Sequence, residues 1–169
     1  MASSYTVTGT NTEGKVAIYL RAVDGPVNLT LKDLHLSGYT RDNYYSPIVL
    51  SDIWNQQPVT ITLASSNSLV SCHDSYSFHY AGILVPKNRK LTINGDGYLY
   101  VKGNSGAAIG GLDDGGSYPH NESCGEIYIE GGIIDARGSS SAIGCCYSGS
   151  CGKVKISGGT VFAHAGYGQ

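Results

Sequence analysis

Ile127-Tyr-Ile-Glu-Gly-Gly-Ile-Ile-Asp-Ala136 returns 27 residues later as Val154-Lys-Ile-Ser-Gly-Gly-Thr-Val-Phe-Ala163. Ahead of these phrases stand Ala107-Ala-Ile-Gly110 and Ser141-Ala-Ile-Gly144, a second matched pair. Each copy reads as a strand, a Gly-Gly bend, a strand, a loop and a short apolar strand. A unit this short cannot bury an apolar face by itself and must stack on its neighbour, which is the signature of a solenoid.

Weaker copies extend back through the chain. The short apolar strand, A, recurs as Ala17-Ile-Tyr-Leu20, Pro47-Ile-Val-Leu50, Gly82-Ile-Leu-Val85, Ala107-Ala-Ile-Gly110 and Ser141-Ala-Ile-Gly144. A second strand, B, starts at Leu29, Val59, Leu91, Ile127 and Val154, with spacings of 30, 32, 36 and 27 residues. A third, C, follows as Leu34-His-Leu36, Leu99-Tyr-Val101, Ile133 to Ala136 and Thr160 to Ala163, with Ser68-Leu-Val70 a poorer copy. Tyr5 to Thr8 is expected to be the C strand of a preceding turn.

The B strands alternate apolar and polar residues, so one face looks inward. The expected fold is all-β: a single-stranded, right-handed parallel β-helix of about five turns of 27–36 residues. Stacking at roughly 4.8 Å per turn would make a column on the order of 24 Å tall. Residues 1–169 read as a single domain, one segment or subunit of a longer assembly. A β-sandwich would not produce matched phrases at a fixed offset.

Charge is sparse. There are 11 basic and 13 acidic side chains, for a net charge of −2, which offers nothing to a nucleic acid or an anionic membrane surface. No window is apolar enough to span a bilayer, and Met1-Ala-Ser-Ser lacks the apolar core of a signal peptide. Other features favour an extracellular or cell-surface location. Asn28-Leu-Thr30 and Asn121-Glu-Ser123 are glycosylation sequons. Thirteen tyrosines against two phenylalanines suit a wet surface. Cys124 and Cys151 each stand three residues before a B strand, so they fall at one position on successive turns. That spacing permits a Cys124–Cys151 disulfide; two stacked free thiols are the alternative. Cys145 and Cys146 share that corner, Cys72 lies elsewhere, and with five cysteines at least one has no partner within the chain.

The run Gly82-Ile-Leu-Val85, Lys90-Leu-Thr-Ile-Asn-Gly-Asp-Gly-Tyr-Leu-Tyr-Val101, Gly106-Ala-Ala-Ile-Gly-Gly111 resembles extracellular carbohydrate-binding β-helix modules of pectate-lyase-like fold. The later turns resemble the glycine-rich repeats of large surface proteins. Val27-Asn-Leu-Thr-Leu-Lys-Asp-Leu34 and Val59-Thr-Ile-Thr-Leu63 extend the likeness through the N-terminal half. The resemblance implies a glycan or polysaccharide partner.

Two corners carry residues with chemistry. The C-to-A corner holds Tyr39, Tyr44 and Tyr45, then Tyr76, Phe78 and Tyr80, with Asp42, His73, Asp74 and His79 among them. Aromatic rings flanked by short polar groups match the apolar faces and hydroxyls of a sugar, and Tyr44, Tyr45, Tyr76 and Tyr80 are the candidate carbohydrate-binding residues. The same rings would also serve a corner that packs on itself. The A-to-B corner holds Trp54, then Lys87, Arg89 and Lys90, then Asp113, Asp114 and His120. Asp113 and Asp114 offer two carboxylates to Ca²⁺, but a solvated turn explains Gly-Gly-Leu-Asp-Asp-Gly-Gly as well. No other cofactor is expected.

A polysaccharide lyase needs a base near a charge-stabilising Ca²⁺ or arginine. Lys87, Lys90 and Lys102 are the bases available, with Arg89 nearby, and no cluster of acids shares a strand face across adjacent turns. The expectation is a protein that is not an enzyme, with no catalytic residue and no metal centre assigned. No nucleophile elbow is present, and Cys145-Cys146 lacks the paired spacing of a zinc site. Outward threonines at 30, 60, 62 and 92 do not repeat on every turn as an ice-binding ladder would.

The chain begins and stops in strand-like segments, Ser4 to Gly9 and Thr160 to Ala163, without a polar cap. Open strand edges invite pairing with another chain. A second class of function follows: a self-assembling structural subunit of an extracellular filament, stacked end to end.

Overall fold

The computed structural model of the protein describes residues 1–14, 16–22, 24–37, 46–51, 57–71, 80–104, 106–112, 123–146 and 149–166. These residues form strands and connections, with no helix among them. The strands are β1 (Ser3–Asn11), β2 (Ile18–Leu20), β3 (Val27–Ser37), β4 (Ile48–Leu50), β5 (Val59–Leu63), β6 (Ser66–Val70), β7 (Ile83–Leu84) and β8 (Lys90–Gly95). They continue with β9 (Tyr98–Gly103), β10 (Ile109–Gly110), β11 (Glu126–Ile129), β12 (Ile133–Gly138), β13 (Ile143–Gly144), β14 (Val154–Ile156) and β15 (Thr160–Ala165).

Two sheets result, and every strand pair in them is parallel. The larger has the order β14-β11-β8-β5-β3-β6-β9-β12-β15, with β1 also on β3. β3 is the branch point. Its first half pairs with β5 and its second half with β6. From there one arm holds the B segments and the other the C segments. The smaller sheet, β13-β10-β7-β4-β2, holds the A segments.

The repeated phrase lies on itself. Ile127 pairs with Val154, Ile129 with Ile156, Ile134 with Val161 and Ala136 with Ala163. In the A sheet, Ile18, Ile48, Ile83, Ile109 and Ile143 form one continuous column. Branched side chains suit such stacking because their stiff rotamers fit a pleated surface with little loss of freedom. Inward residues of both arms and of the A sheet join in one core, in which Leu31, Ile61, Ile83, Leu91, Leu99 and Ile127 have no exposure. Burial of each is worth about 1.5–3 kcal/mol, so the core outweighs any surface contact.

The register departs from the sequence expectation in two places. Val27, not Leu29, is opposite Val59; Leu29 is opposite Ile61. Val59, Leu91, Ile127 and Val154 do share one row. Tyr5 pairs with Leu29, so Tyr5 to Val7 belongs to a B segment rather than a C segment, and only Gly9 to Asn11 lies along the C segment. In the first case the two-residue period of a strand permits a shift of two without moving apolar side chains off the inner face.

The bends between B and C differ along the chain. The later ones are glycines in the left-handed region, Gly132 at φ +85° and Gly159 at φ +81°. The Gly159 position leaves no room for a side chain, since a Cβ would fall 2.5 Å from the Gly132 carbonyl oxygen. The earliest bend instead has Asp33 at φ 52°, a costly conformation for a residue with a side chain. Side chains from the next strand hold it. Asp33 N–H donates to Ser65 Oγ at 2.6 Å and Leu34 N–H to Asn67 Oδ1 at 3.1 Å. Asn67 Nδ2 then donates to the Ser65 carbonyl at 2.9 Å and the Tyr98 carbonyl at 3.3 Å.

Asn67 is 1 % exposed and sits in the inward row opposite Leu99. This is why Ser68-Leu-Val70 looks like a poor copy: its inward leucine is replaced by an amide that knits three strands at the bend. Asn67→Leu restores the repeat pattern but leaves the Leu34 N–H and two carbonyls without this partner. At about 1–3 kcal/mol per buried orphaned group, the variant is expected to lose roughly 2 kcal/mol or more in urea denaturation despite its added apolar volume. An equal or higher stability would show that the amide network is dispensable.

Candidate functional site

The outer face of the C arm gathers the most varied chemistry among the described residues. Alternation places Leu99 and Val101, Ile134 and Ala136 inward, so Tyr98, Tyr100, Asp135 and Arg137 point outward. In-register pairing then aligns Tyr100, Asp135 and Phe162 in one outward row, and Lys102, Arg137 and His164 in the next. Tyr100 and Phe162 are two strands apart, about 9.6 Å at the usual strand separation. That length is comparable with a disaccharide.

Asp135 is the centre of this face. Arg137 Nε donates to its Oδ1 at 3.0 Å and Nη2 to its Oδ2 at 2.9 Å, a bidentate pair between residues two apart on one strand. His164 Nε2 lies 3.9 Å from Oδ1 on the other side, an ion pair when the imidazole is protonated. The Arg137 guanidinium also lies 5.4 Å from the centre of the Tyr100 ring. The hydrogen bonds from Arg137 hold the Asp135 carboxyl below the usual carboxylate range. Burial, and then the negative charge of Asp135, push the Tyr98 hydroxyl up, so it stays protonated.

The face is shallow and pre-arranged. Tyr98 and Tyr100 are half-buried, and Phe162 is 52 % exposed. It offers aromatic surface for C–H groups, carboxylate oxygens and a tyrosine hydroxyl as acceptors, and guanidinium N–H groups as donors, all on a rigid sheet. Sequence inspection missed this cluster because it followed the loops. The signal was nonetheless there: aligning Leu99-Tyr-Val101 with the two Gly-Gly phrases superimposes Tyr100, Asp135 and Phe162.

The sequence-derived candidates fare differently. Tyr44, Tyr45 and Tyr76 lie outside the described residues. Tyr80 is half-buried where the chain re-enters the A sheet, and its carbonyl accepts from Ser71 Oγ at 2.9 Å. Asp113 and Asp114 also lie outside, as do Trp54, His120 and the sequon asparagine Asn121. Among the described residues, no group of three or more His, Cys, Asp or Glu could hold a metal ion. Asn28 lies in β3, half-buried, with Nδ2 3.5 Å from Ser4 Oγ. No described helix is long and apolar enough to cross a membrane.

The disulfide expectation is corrected. Cys151 bonds to Cys145, with Cα atoms 5.1 Å apart, while Cys124 and Cys146 are buried thiols outside that bond. Cys124 and Cys151 are indeed parallel bridge partners on adjacent passes of the chain. Stacking alone does not choose the partner, however. The Cys124 side chain packs in the core, whereas that of Cys151 turns back along its own loop, where its sulfur also accepts from the Cys145 N–H. Burial pushes the Cys124 thiol up, which keeps it unreactive.

Against this geometry stands one comparison. The model of the family described as "Carbohydrate-binding domain-containing protein" matches residues 1–115, about two thirds of the chain. The chain belongs to this family. No curated protein and no solved structure matches it. The matched part of this carbohydrate-binding domain reaches through β10 and contains Tyr98 and Tyr100, while Asp135, Arg137, Phe162 and His164 follow it.

The Asp135–Arg137 pair carries a pH signature. A depressed carboxylate contributes stability that is fully present above its unfolded value of about 3.9 and is lost as pH falls through the lower folded value. Asp135→Asn is therefore expected to lower the melting temperature at pH 7, and the gap from wild type should close below about pH 4. A gap that stays constant down to pH 2 would remove the pair from the stability of this face.

Proposed function

We propose that this protein is a non-catalytic glycan-binding module of an extracellular or cell-surface protein, built as a right-handed parallel β-helix. The β-helix assignment is supported by the in-register pairing of each A, B and C segment with its counterpart one repeat later. Extracellular placement is supported by the Cys145–Cys151 disulfide and the two sequons, both of which belong to oxidising, secreted settings. Glycan binding rests on the family match and on the single observation that Tyr98, Tyr100, Asp135, Arg137 and Phe162 converge on one flat outer face.

Sugar rings stack their C–H faces on Tyr100 and Phe162, while the Asp135–Arg137 pair between them receives and donates hydrogen bonds to hydroxyls. The pair also argues for binding without turnover. Arg137 keeps Asp135 ionised and makes it a weaker base, so it neither carries a proton for a leaving group nor readily removes one. The expected result on a glycan array is binding by the wild type without shortening of the bound polysaccharide. Binding should weaken about tenfold or more in Tyr98→Ala with Tyr100→Ala and in Phe162→Ala, as for aromatic anchors elsewhere. Undiminished binding by both variants moves the site off this face, and release of shortened sugars would make the protein an enzyme.

End-to-end assembly is a second reading, favoured by the outermost B strand. Val154 and Ile156 align with the fully buried Ile127 and Ile129, yet are 41 % and 53 % exposed. A strand from another copy of the chain would cover them and continue the ladder. Sedimentation velocity should show growth of large species with concentration, abolished by Ile156→Lys. A single monomeric boundary at all concentrations rejects assembly.

A further inference from the structure

On the corner between the A and B segments a groove of ≈ 400 Å³ runs across three successive passes of the chain, far from neutral in its lining. Lys87, Arg89, Lys90 and Lys153 line it against one carboxylate, Glu126, in a protein whose net charge is −2. From this we infer that the groove is a binding site for acidic sugars, those carrying carboxylate or sulfate groups, and that it is separate from the aromatic face of the C arm. The inference rests on the reading of the protein as a glycan binder.

The chain builds this groove deliberately. Pro86 to Arg89 is a tight turn closed by Arg89 N–H to the Pro86 carbonyl at 3.1 Å, with Asn88 at φ 67°. The turn lifts Lys87 to an exposed tip. Arg89 points the other way: it is 4 % exposed and donates from Nη2 to the Gln57 carbonyl at 3.2 Å. Gly125 and Gly152 allow the floor to close up, because a Cβ at either would strike a backbone carbonyl of the neighbouring pass.

The lysines are also held where they meet. Lys90 is opposite Glu126, and Lys153 lies one strand further on, its carbonyl accepting from Ile127 N–H at 2.9 Å. The Nζ of Lys90 is 4.6 Å and that of Lys153 5.9 Å from the centre of the same Tyr128 ring. The ring gathers two ammonium groups that would otherwise repel each other. Glu126 does not neutralise them directly: its Oε2 accepts a hydrogen bond from Tyr128 Oη at 2.9 Å. Among the described residues, Lys87, Lys90 and Lys153 form no salt bridge. An anion bridging the two ring-held lysines relieves their repulsion, and strands at about 4.8 Å repeat this corner along the column, which suits a polymer with regularly spaced acids.

The test compares four probes by calorimetry at low salt: oligogalacturonate for carboxylates, dextran sulfate for sulfates, and cello-oligosaccharide and plain dextran as neutral partners. The expected outcome is preference for at least one acidic probe over its neutral partner by tenfold or more, weakening as NaCl rises through 0.15 M, where screening reaches about 8 Å. Which acidic probe wins distinguishes carboxylate from sulfate recognition. Lys87→Gln, Lys90→Gln and Lys153→Gln together should abolish the preference; Lys155→Gln, outside the groove, should not. Circular dichroism and melting of the triple variant check that it remains folded; if it does not, Lys90→Arg and Lys153→Arg, which keep the charge, should retain the preference and Lys90→Gln alone should reduce it. Equal affinity for acidic and neutral probes, or a preference that survives the triple change, overturns the groove. Binding of neutral probes alone overturns the groove while leaving the C-arm face standing.

Discussion

Everything in this molecule depends on one repeated contact, the in-register parallel hydrogen-bond ladder between each segment and its copy one repeat later. The ladder makes like stack on like. Five isoleucines stack in one column of the A sheet, and the Gly-Gly phrases superimpose residue for residue. Each inward position then loses water on both sides and gains apolar neighbours above and below. The same rule explains the exposed Val154 and Ile156, which carry the inward pattern of buried residues to a strand with a neighbour on one side only.

A ladder tolerates few exceptions, and the ones it contains are informative. Where the chain bends without glycine, at Asp33, the lost ladder bonds are replaced by Ser65 and Asn67. A buried amide is unfavourable unless its donors and acceptors are met, and here its oxygen and its nitrogen are both used. Later bends reach the same geometry with glycine at Gly132 and Gly159. Different chemical solutions to the bend thus coexist in one chain, which is why the repeats look regular near the C-terminus and blurred near the N-terminus.

The ladder also organises the surface. Because outward side chains follow the same rows, chemistry dispersed along the sequence converges in space. Tyr100, Asp135 and Phe162 come from three different repeats, as do Lys90, Glu126 and Lys153. The first row yields an aromatic face around an ion pair. The second yields a cationic groove with its one acid turned aside to Tyr128. A family defined by carbohydrate binding has, in this chain, two surfaces of opposite character on one rigid support.

How much of this was legible beforehand follows from the range of each interaction. Strand identity, the stacking of the duplicated phrases and the apolar core were readable from the sequence alone, because period-two alternation and a fixed repeat are local and survive any choice of partner. The register of the first repeat was not, since shifting Leu29 against Val27 keeps the same side chains inward and only the pairing energy of the whole column decides between them. The disulfide was not, since Cys124 and Cys151 share a row but the direction of each sulfur is set by packing. The outer faces fell between these cases: their residues were visible as outward positions, yet only the stacked rows, by bringing Arg137 onto Tyr100, His164 beside Asp135 and two lysines onto Tyr128, turned separate side chains into surfaces with a defined chemistry.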